Sequence, residues 1–170
     1  MTQDKRPIRT AVMTMSDAGA SGHREDTSGD RIVEFLAKIG GEVVERVLIP
    51  DDREQIRANL VRFADDLHVD LVLTTGGTGI APRDVTPDVT ASVVDYQVLG
   101  MAEAMRAYSV QKTPFGMLSR QVVGVRGRTL ILNLPGSPKA VVECLEVVQP
   151  VLPHAVDLIR GAPVDHTPPA

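Results

Sequence analysis

The chain has 170 residues, a formal net charge of −4, 43% hydrophobic residues and 24% charged residues, values typical of one ordinary globular domain. The negative charge and the 3% aromatic content argue against a nucleic-acid-binding surface, and no apolar stretch is long enough to span a membrane. Cys144 is the only cysteine, which excludes an intrachain disulfide, and residues 1–9 lack the apolar core of a signal peptide, so we expect a cytoplasmic protein.

Short β-branched runs alternate with helical patterns over residues 8–160, the range that we expect to form the domain. The first half predicts strands over residues 8–15, 43–49 and 70–75, with amphipathic helices around residues 32–39 and 56–67. The second half predicts helices that begin at Pro87 after the N-cap Thr86, near Met101 (with Ala104 inward), at Pro138 and at Leu152, and a buried strand over residues 129–133. We expect residues 1–7 and 161–170 to be flexible ends.

This alternation predicts an α/β fold, a three-layer α/β/α sandwich with a mostly parallel sheet. In such a sheet the turns at the carboxyl ends of the strands face one crevice, where ligands usually bind. The four turns predicted there are rich in Gly, Asp, Ser and Pro, and they comprise residues 16–29, 50–52, 76–84 and 134–137.

A glycine-rich turn, Gly76-Gly77-Thr78-Gly79, follows the third predicted strand. Glycines allow positive φ and let a ligand approach backbone N–H groups, as phosphate sites require. The turn matches neither the P-loop nor the dinucleotide-binding pattern, and a tight strand-to-helix connection would explain it equally well. The following pair, Arg83-Asp84, suits a polyphosphate held by a cation, although it could also form a simple surface ion pair.

Other candidate residues have structural alternatives. Asp51 is predicted as a helix N-cap, with Glu54 completing a capping box, or as a ligand contact, and the two roles can coexist. Thr86, followed by Pro87, is predicted as a hydroxyl N-cap.

The polar segment after the first strand, which begins at Ser16-Asp17, is longer than usual, and Asp17 either contacts a ligand or stabilises a turn. The turn Pro135-Gly136-Ser137 offers a second anion-binding helix start or simply stops the preceding strand. The four histidines have no metal-ligand spacing, which argues against a zinc site.

Residues 74–88, TTGGTGIAPRDVTPD, resemble the signature of the molybdopterin-binding proteins of molybdenum cofactor synthesis. This family includes bacterial molybdopterin adenylyltransferases and the G domains of gephyrin and its plant counterpart. The resemblance covers about residues 8–160 and includes further segments at Ser16-Asp17, residues 49–51, 113–120, 130–138 and 152–155.

The resemblance implies a molybdopterin-binding fold and an adenylyl transfer that depends on ATP and Mg²⁺, with molybdopterin as the second substrate. It also implies a homotrimer, or a hexamer, and a molybdenum insertase as a downstream partner. Asp51 and Asp84 match the family's catalytic acids and are candidate Mg²⁺ ligands, which favours a functional role for Asp51. The candidate binding residues are Ser16, Asp17, Gly76, Gly77, Thr78, Gly79, Ser119 (from the pterin pocket), Pro135, Gly136 and Ser137.

Two alternatives stay open at this point. A non-catalytic carrier of molybdopterin would share the same motifs, since short motifs distinguish paralogues poorly. A nucleotide-processing domain of the competence-damage type would share the fold.

Overall fold

Within residues 6–162, the part of the chain that the computed structural model describes, six strands form one sheet. In chain order they are β1 (Ile8–Met15), β2 (Gly41–Ile49), β3 (Leu71–Thr75), β4 (Tyr96–Gln97), β5 (Val123–Arg126) and β6 (Thr129–Leu134). The spatial order is β2-β1-β3-β6-β5-β4. The first four of these strands pair in parallel, whereas β5 and β4 add an antiparallel edge.

Helices cover both faces of this sheet. They are α1 (Asp17–Ala20), α2 (Thr27–Lys38), α3 (Arg53–Asp65), α4 (Thr86–Val93), α5 (Leu99–Lys112), α6 (Pro138–Val148) and α7 (Leu152–Arg160), with a 3₁₀ helix at Pro114–Leu118. One apolar core packs α2, α5, α6 and α7 against one sheet face, and a second core packs α3 and α4 against the other. The predicted three-layer α/β/α sandwich is therefore confirmed.

The strand sequences explain this layering. Successive side chains of a strand point to opposite faces, so Leu71 and Leu73 join the first core while Val72 joins the second. All residues of β3 and β6 are buried, as expected for central strands covered by helices on both faces. This arrangement brings the carboxyl ends of β1, β2, β3 and β6 to one edge of the sheet.

Two predicted helix starts are wrong by one residue. The N-cap of α3 is Asp52, whose carboxylate accepts a hydrogen bond from the Gln55 N–H at 2.9 Å, so Asp51 precedes the helix and caps nothing. Helix α4 begins with Thr86 itself, after Val85, and its hydroxyl makes no capping bond. The Thr86 backbone N–H instead donates to the Gly77 carbonyl at 3.3 Å, a tertiary contact that local sequence does not encode.

Other elements also differ from prediction. Helix α5 buries Met101, Ala102 and Met105 and leaves Ala104 exposed, because its buried face extends from Met101 and Met105 towards Ala102 rather than towards Ala104. The antiparallel strands β4 and β5 were not predicted, because two- and four-residue strands carry little sequence pattern. The polar segment after β1 contains the short helix α1.

The two ends of the described chain lie side by side. Arg160 donates to the Pro7 carbonyl at 3.0 Å, and both Arg6 and Arg160 bond the buried Asp70. Residues 1–5 and 163–170, on which the prediction of flexible ends mostly falls, lie outside the described residues. In the described range 6–162, no helix has the length and apolar character needed to cross a membrane.

Candidate active site

A cavity of about 380 Å³ opens at the edge where the four parallel strands end. Its walls come from the turns after β1, β2, β3 and β6 and from the start of α2, as the sequence predicted for the crevice. The lining residues include seven of the candidates: Ser16, Asp17, Asp51, Gly76, Gly77, Gly136 and Ser137.

The glycine turn after β3 has the geometry of an anion site. Gly76 and Gly77 have φ values of +99° and +63°, in the left-handed region that favours glycine. A Cβ atom on Gly76 would collide with the Met15 carbonyl oxygen. Among residues 6–162, none accepts a hydrogen bond from the N–H groups of Gly77, Thr78 or Gly79. These donors have no partner in the described chain, and of the three residues Gly77 lines the cavity, whereas Thr78 and Gly79 lie outside its lining.

Arg120 fixes the carbonyl side of the same turn. Its backbone N–H donates to the Thr78 carbonyl at 2.8 Å, and its Nε donates to the Gly79 carbonyl at 2.8 Å. Its other guanidinium nitrogens bond the Asp84 carbonyl and the Asp88 carboxylate. With the carbonyls held in this way, the turn keeps its N–H groups in place for a ligand.

Ser119 immediately precedes Arg120 and lies outside the cavity lining. Its carbonyl accepts a bond from Arg106 at 2.9 Å, and the 3₁₀ helix before it exposes Phe115 and Met117. Ser119 therefore lies beside the glycine turn, next to an exposed apolar surface rather than in the polar cavity.

Asp17 joins two other turns of the site. Its carboxylate accepts hydrogen bonds from Arg83 Nε at 2.6 Å and Arg83 Nη2 at 2.7 Å, and from the Asp51 backbone N–H at 3.0 Å. The bonds from Arg83 and Asp51 hold the pKa of Asp17 below its usual value. Arg83 thus pairs with Asp17, 66 residues away in sequence, rather than with its neighbour Asp84.

Asp51 is half-buried in the cavity wall, beside Gly77. Burial raises the pKa of Asp51 above the usual aspartate value, and the negative charges of Asp17 and Asp84 raise it further. A hydrogen bond from Asp17 and the positive charge of Arg83 oppose this rise but do not cancel it. A carboxylate in such surroundings gains from a nearby cation, which would offset both the burial and the repulsion.

Asp84 lies at the other end of the glycine turn. Its Oδ2 accepts a hydrogen bond from the Ala81 N–H at 2.8 Å and lies 2.7 Å from the position that a Cβ atom on Gly79 would take. The side chain does not line the cavity, but its charge acts on Asp51. The two acids therefore flank the same turn, Asp51 next to Gly77 and Asp84 next to Gly79.

The turn after β6 forms another part of the cavity wall. Thr75 Oγ1 donates to the Pro135 carbonyl at 2.6 Å, and Ser28 Oγ donates to the Gly136 carbonyl at 2.7 Å. Ser137 is the N-cap of α6, and its side chain accepts from the Ala140 N–H at 3.5 Å. Gly136 and Ser137 line the cavity, whereas Pro135 lies behind them.

Arg24, Glu25 and Asp26 also line the cavity; they belong to the predicted crevice turn over residues 16–29, but none of them was a predicted site residue. Asp26 caps α2 by accepting from the Gly29 N–H at 2.9 Å, and it also binds Thr14 Oγ1 and Arg46. The local sequence could not predict this network, because Arg46 lies on the edge strand β2, far from Asp26 in sequence. The helix start at Asp26-Thr27 was the available signal.

Negative charge dominates the cavity walls. The lining includes the acids Asp17, Glu25, Asp26 and Asp51, and among the described lining residues Arg24 is the cation. Within residues 6–162, no group of three or more metal-ligating His, Cys, Asp or Glu side chains exists. Carboxylates such as Asp17, Asp26 and Asp51 are ligands of the kind that hard cations prefer.

Comparison with known proteins shows the family of the chain. A family model described as "Probable molybdopterin binding domain" matches residues 11–154. The molybdopterin adenylyltransferase of Helicobacter pylori (strain 26695) is 42% identical over 156 residues, which are 91% of this chain and 89% of that protein. The molybdopterin adenylyltransferase of Escherichia coli K12 is 38% identical over 175 residues, 95% of this chain and 90% of that protein.

The structure of the molybdopterin biosynthesis enzyme MoaB from Thermus thermophilus is similar throughout. It has a TM-score of 0.87 and 51% sequence identity, and the match covers 93% of this chain and 99% of that one. The family model spans most of the described chain, including all four turns of the cavity. The chain therefore belongs to the family of molybdopterin-binding domains of molybdenum cofactor biosynthesis.

Proposed function

We propose that this protein is a molybdopterin adenylyltransferase, which transfers the adenylyl group of ATP to molybdopterin with Mg²⁺ present. A phosphate oxygen of molybdopterin attacks the α-phosphorus of ATP, a new P–O bond forms, and the bond to the β-phosphate oxygen breaks. Adenylyl-molybdopterin and pyrophosphate are the products. The observation that carries this proposal is the set of unbonded N–H groups of Gly77, Thr78 and Gly79 between two carboxylates, in a chain 42% identical to a relative of that name.

The glycine turn supplies most of the binding in this proposal. The N–H groups of residues 77–79 take phosphate oxygens, and Arg120 keeps their peptide groups in place from the carbonyl side. Phosphoryl-type transfer needs mainly positioning and charge neutralisation, with little covalent work by the protein. The attacking phosphate is already largely ionised at neutral pH, so the reaction needs no histidine or cysteine as a base.

Asp51 and Asp84 are the residues that would hold Mg²⁺ against the triphosphate. The donor set fits, because both are carboxylates, both flank the same turn, and the raised pKa of Asp51 reflects burial and negative neighbours that a cation would offset. When bound, Mg²⁺ neutralises part of the negative charge of the triphosphate. Of the four acids among the lining residues, Asp17 and Asp26 are paired with arginines, which leaves Asp51 as a carboxylate that a cation would neutralise.

The remaining candidates have supporting roles in this proposal. Ser16 and Asp17 form the wall beside the glycine turn, and Gly136 and Ser137, supported by Pro135, form the second anion-binding turn. Ser119 contacts the pterin, whose flat ring faces can pack on the exposed apolar surface beside Phe115 and Met117. We also propose that the domain spans residues 8–160 and that the chain assembles as a homotrimer or hexamer. The protein acts in the cytoplasm in this proposal and passes its product to a molybdenum insertase.

The deciding experiment is incubation of the protein with molybdopterin, ATP and Mg²⁺, followed by mass detection of adenylyl-molybdopterin and pyrophosphate. Formation of both products supports the enzyme. A carrier would instead bind molybdopterin in a calorimetric titration and leave ATP intact, and that result would replace the proposal. Light-scattering mass separates trimer from hexamer.

A further inference from the structure

Thr86 has a buried hydroxyl group that makes no hydrogen bond. The residue is 0% exposed, and its Oγ1 has no partner among residues 6–162. Buried side-chain hydroxyls are nearly always paired, because an unpaired one loses its hydration and gains nothing in return. This hydroxyl lies behind the glycine turn of the candidate site, beside Gly77, where a bond to a side chain that moves on ligand binding would satisfy it.

The position of this hydroxyl points to Asp51 as the partner. A Cβ atom placed on Gly77 would lie 2.6 Å from Thr86 Oγ1 and 2.8 Å from Asp51 Oδ1. The two oxygens therefore lie on the same side of Gly77, and the absence of a side chain at that position leaves the space between them open. The Asp51 carboxylate is bonded by the Asp17 backbone N–H, and within the described chain no side-chain donor bonds it.

The backbone holds Thr86 in this place independently of its hydroxyl. Its N–H donates to the Gly77 carbonyl at 3.3 Å, and Thr86 is the first residue of α4, two residues after Asp84. For the pair to form a hydrogen bond, the half-buried Asp51 side chain would rotate towards the Thr86 hydroxyl. In this pair the backbone holds Thr86 in place, and the side chain of Asp51 is the one that rotates.

We propose that Thr86 is a positioning residue, whose hydroxyl donates a hydrogen bond to the Asp51 carboxylate when the Mg²⁺–nucleotide complex binds. One carboxylate oxygen then faces the cation while the other is held by Thr86, an arrangement that fixes the direction of a metal-binding carboxylate. This inference rests on the proposed function, because it assigns Asp51 to the cation of the nucleotide.

If the Thr86 hydroxyl has no role in ligand binding, a different result is expected for the ligand affinity. Thr86→Val keeps the shape of the side chain and removes the hydroxyl. If the hydroxyl is simply an unpaired polar group, its removal leaves ligand binding unchanged and keeps or raises the melting temperature. Thr86→Ser keeps the hydroxyl and serves as the matched control.

The test is calorimetric titration of Mg²⁺ into the full-length protein with a non-hydrolysable ATP analogue, together with thermal unfolding of the free protein. We expect Thr86→Val to weaken apparent Mg²⁺ affinity by about 10-fold or more, the order found when an outer hydrogen bond to a metal ligand is lost. Its melting temperature should be equal to or above that of the wild type, and Thr86→Ser should bind Mg²⁺ like the wild type.

Two results overturn the inference: unchanged Mg²⁺ affinity in Thr86→Val, or a marked loss of its stability in the absence of ligand, which would show that the hydroxyl already has a structural partner. Failure of the proposed function is a separate result. The wild-type protein would then bind Mg²⁺ and nucleotide but form no adenylyl-molybdopterin, and the comparison of Mg²⁺ affinities would still decide the role of Thr86.

Discussion

Arg83 binds the carboxylate of Asp17 with two nitrogens, Nε at 2.6 Å and Nη2 at 2.7 Å, and so joins the loop after the glycine turn to the turn after β1. Both side chains are largely exposed, so the pair adds little to the stability of the fold. Its effect is local and electrostatic. Arg83 neutralises one of the acids that line the cavity, which matters for a ligand that carries several negative charges.

Replacing Arg83 should therefore weaken nucleotide binding more than folding. We expect Arg83→Gln to raise the Kd of the Mg²⁺–ATP analogue by about tenfold or less, since solvent and salt screen an exposed charge, and expect Arg83→Lys to recover part of the affinity. Titration calorimetry at low and high salt measures both values. Arg31→Gln, which breaks the exposed Arg31–Glu34 pair on α2, is the matched control. Equal loss of affinity in both variants would contradict a specific role for Arg83.

The two acids that flank the glycine turn should be needed for turnover. We expect Asp84→Asn and Asp51→Asn each to lower kcat by about 10²-fold or more, the order seen when one charge-stabilising group is lost. Asparagine at position 84 can still accept the hydrogen bond from the Ala81 N–H, so the loop should keep its shape. Product formation measured at saturating Mg²⁺ tests this expectation. Glu34→Gln, an exposed charge change outside the cavity, should be fully active, and full activity in Asp84→Asn would remove that residue from the mechanism.

Much of the fold and of the cavity could be predicted from the sequence, because the signals were local and strong. The strands from Ile8, Leu71 and Thr129 are continuous apolar or β-branched runs, typical of strands that helices cover on both faces. Parallel pairing then sends their following turns to one edge. The glycine turn could be placed in the site for this reason, without knowledge of its contacts.

The contacts themselves depended on tertiary structure. Asp51 and Asp52 are equally good N-caps, and only the folded chain shows that Asp52 takes that role and leaves Asp51 free to line the cavity. Arg83 was considered together with its neighbour Asp84, but its partner is Asp17, which the sheet brings close from 66 residues away. The unpaired hydroxyl of Thr86 could not be predicted either, since the sequence favoured an N-cap at that position.

Asp70 should make stability depend on pH in the acid range. Burial alone would raise its pKa, but hydrogen bonds from Arg160 and from the Arg9 N–H, and the charge of Arg6, outweigh burial and lower it. A carboxylate with a lowered pKa stabilises the fold above its unfolded value of about 3.9, and this contribution is lost as pH falls through the folded value. Acid unfolding of the wild type should therefore begin as Asp70 is protonated.

The variant Asp70→Asn checks this assignment. The side chains of Asp70 and Arg160 are 5% and 13% exposed, so at pH 7 the variant should lose about 3–5 kcal/mol in the free energy of unfolding, as for a broken buried pair. The difference from wild type should shrink below about pH 4. Urea unfolding across this pH range measures both effects, with the exposed Glu103→Gln as control. A difference that stays constant with pH would rule out ionised Asp70 as its source.

Gly77 lies beside both Asp51 and Thr86. A single methyl group added there therefore tests the close packing of the turn on which the proposed site and the proposed role of Thr86 depend. Its φ of +63° already disfavours any side chain, by about 1–2 kcal/mol. A methyl group would also press against Thr86 Oγ1 at 2.6 Å and Asp51 Oδ1 at 2.8 Å. We therefore expect Gly77→Ala to reduce both stability and nucleotide affinity.

Gly127 separates these two effects. Its φ is +56°, close to that of Gly77, but an added Cβ atom would meet nothing within 4 Å. Gly127→Ala should therefore lose stability from backbone strain alone and bind the Mg²⁺–ATP analogue as the wild type does. Thermal unfolding and titration calorimetry on both variants give the comparison. If Gly77→Ala binds nucleotide as well as Gly127→Ala does, Asp51 and Thr86 do not act through the space beside Gly77, because that space would then be filled without consequence.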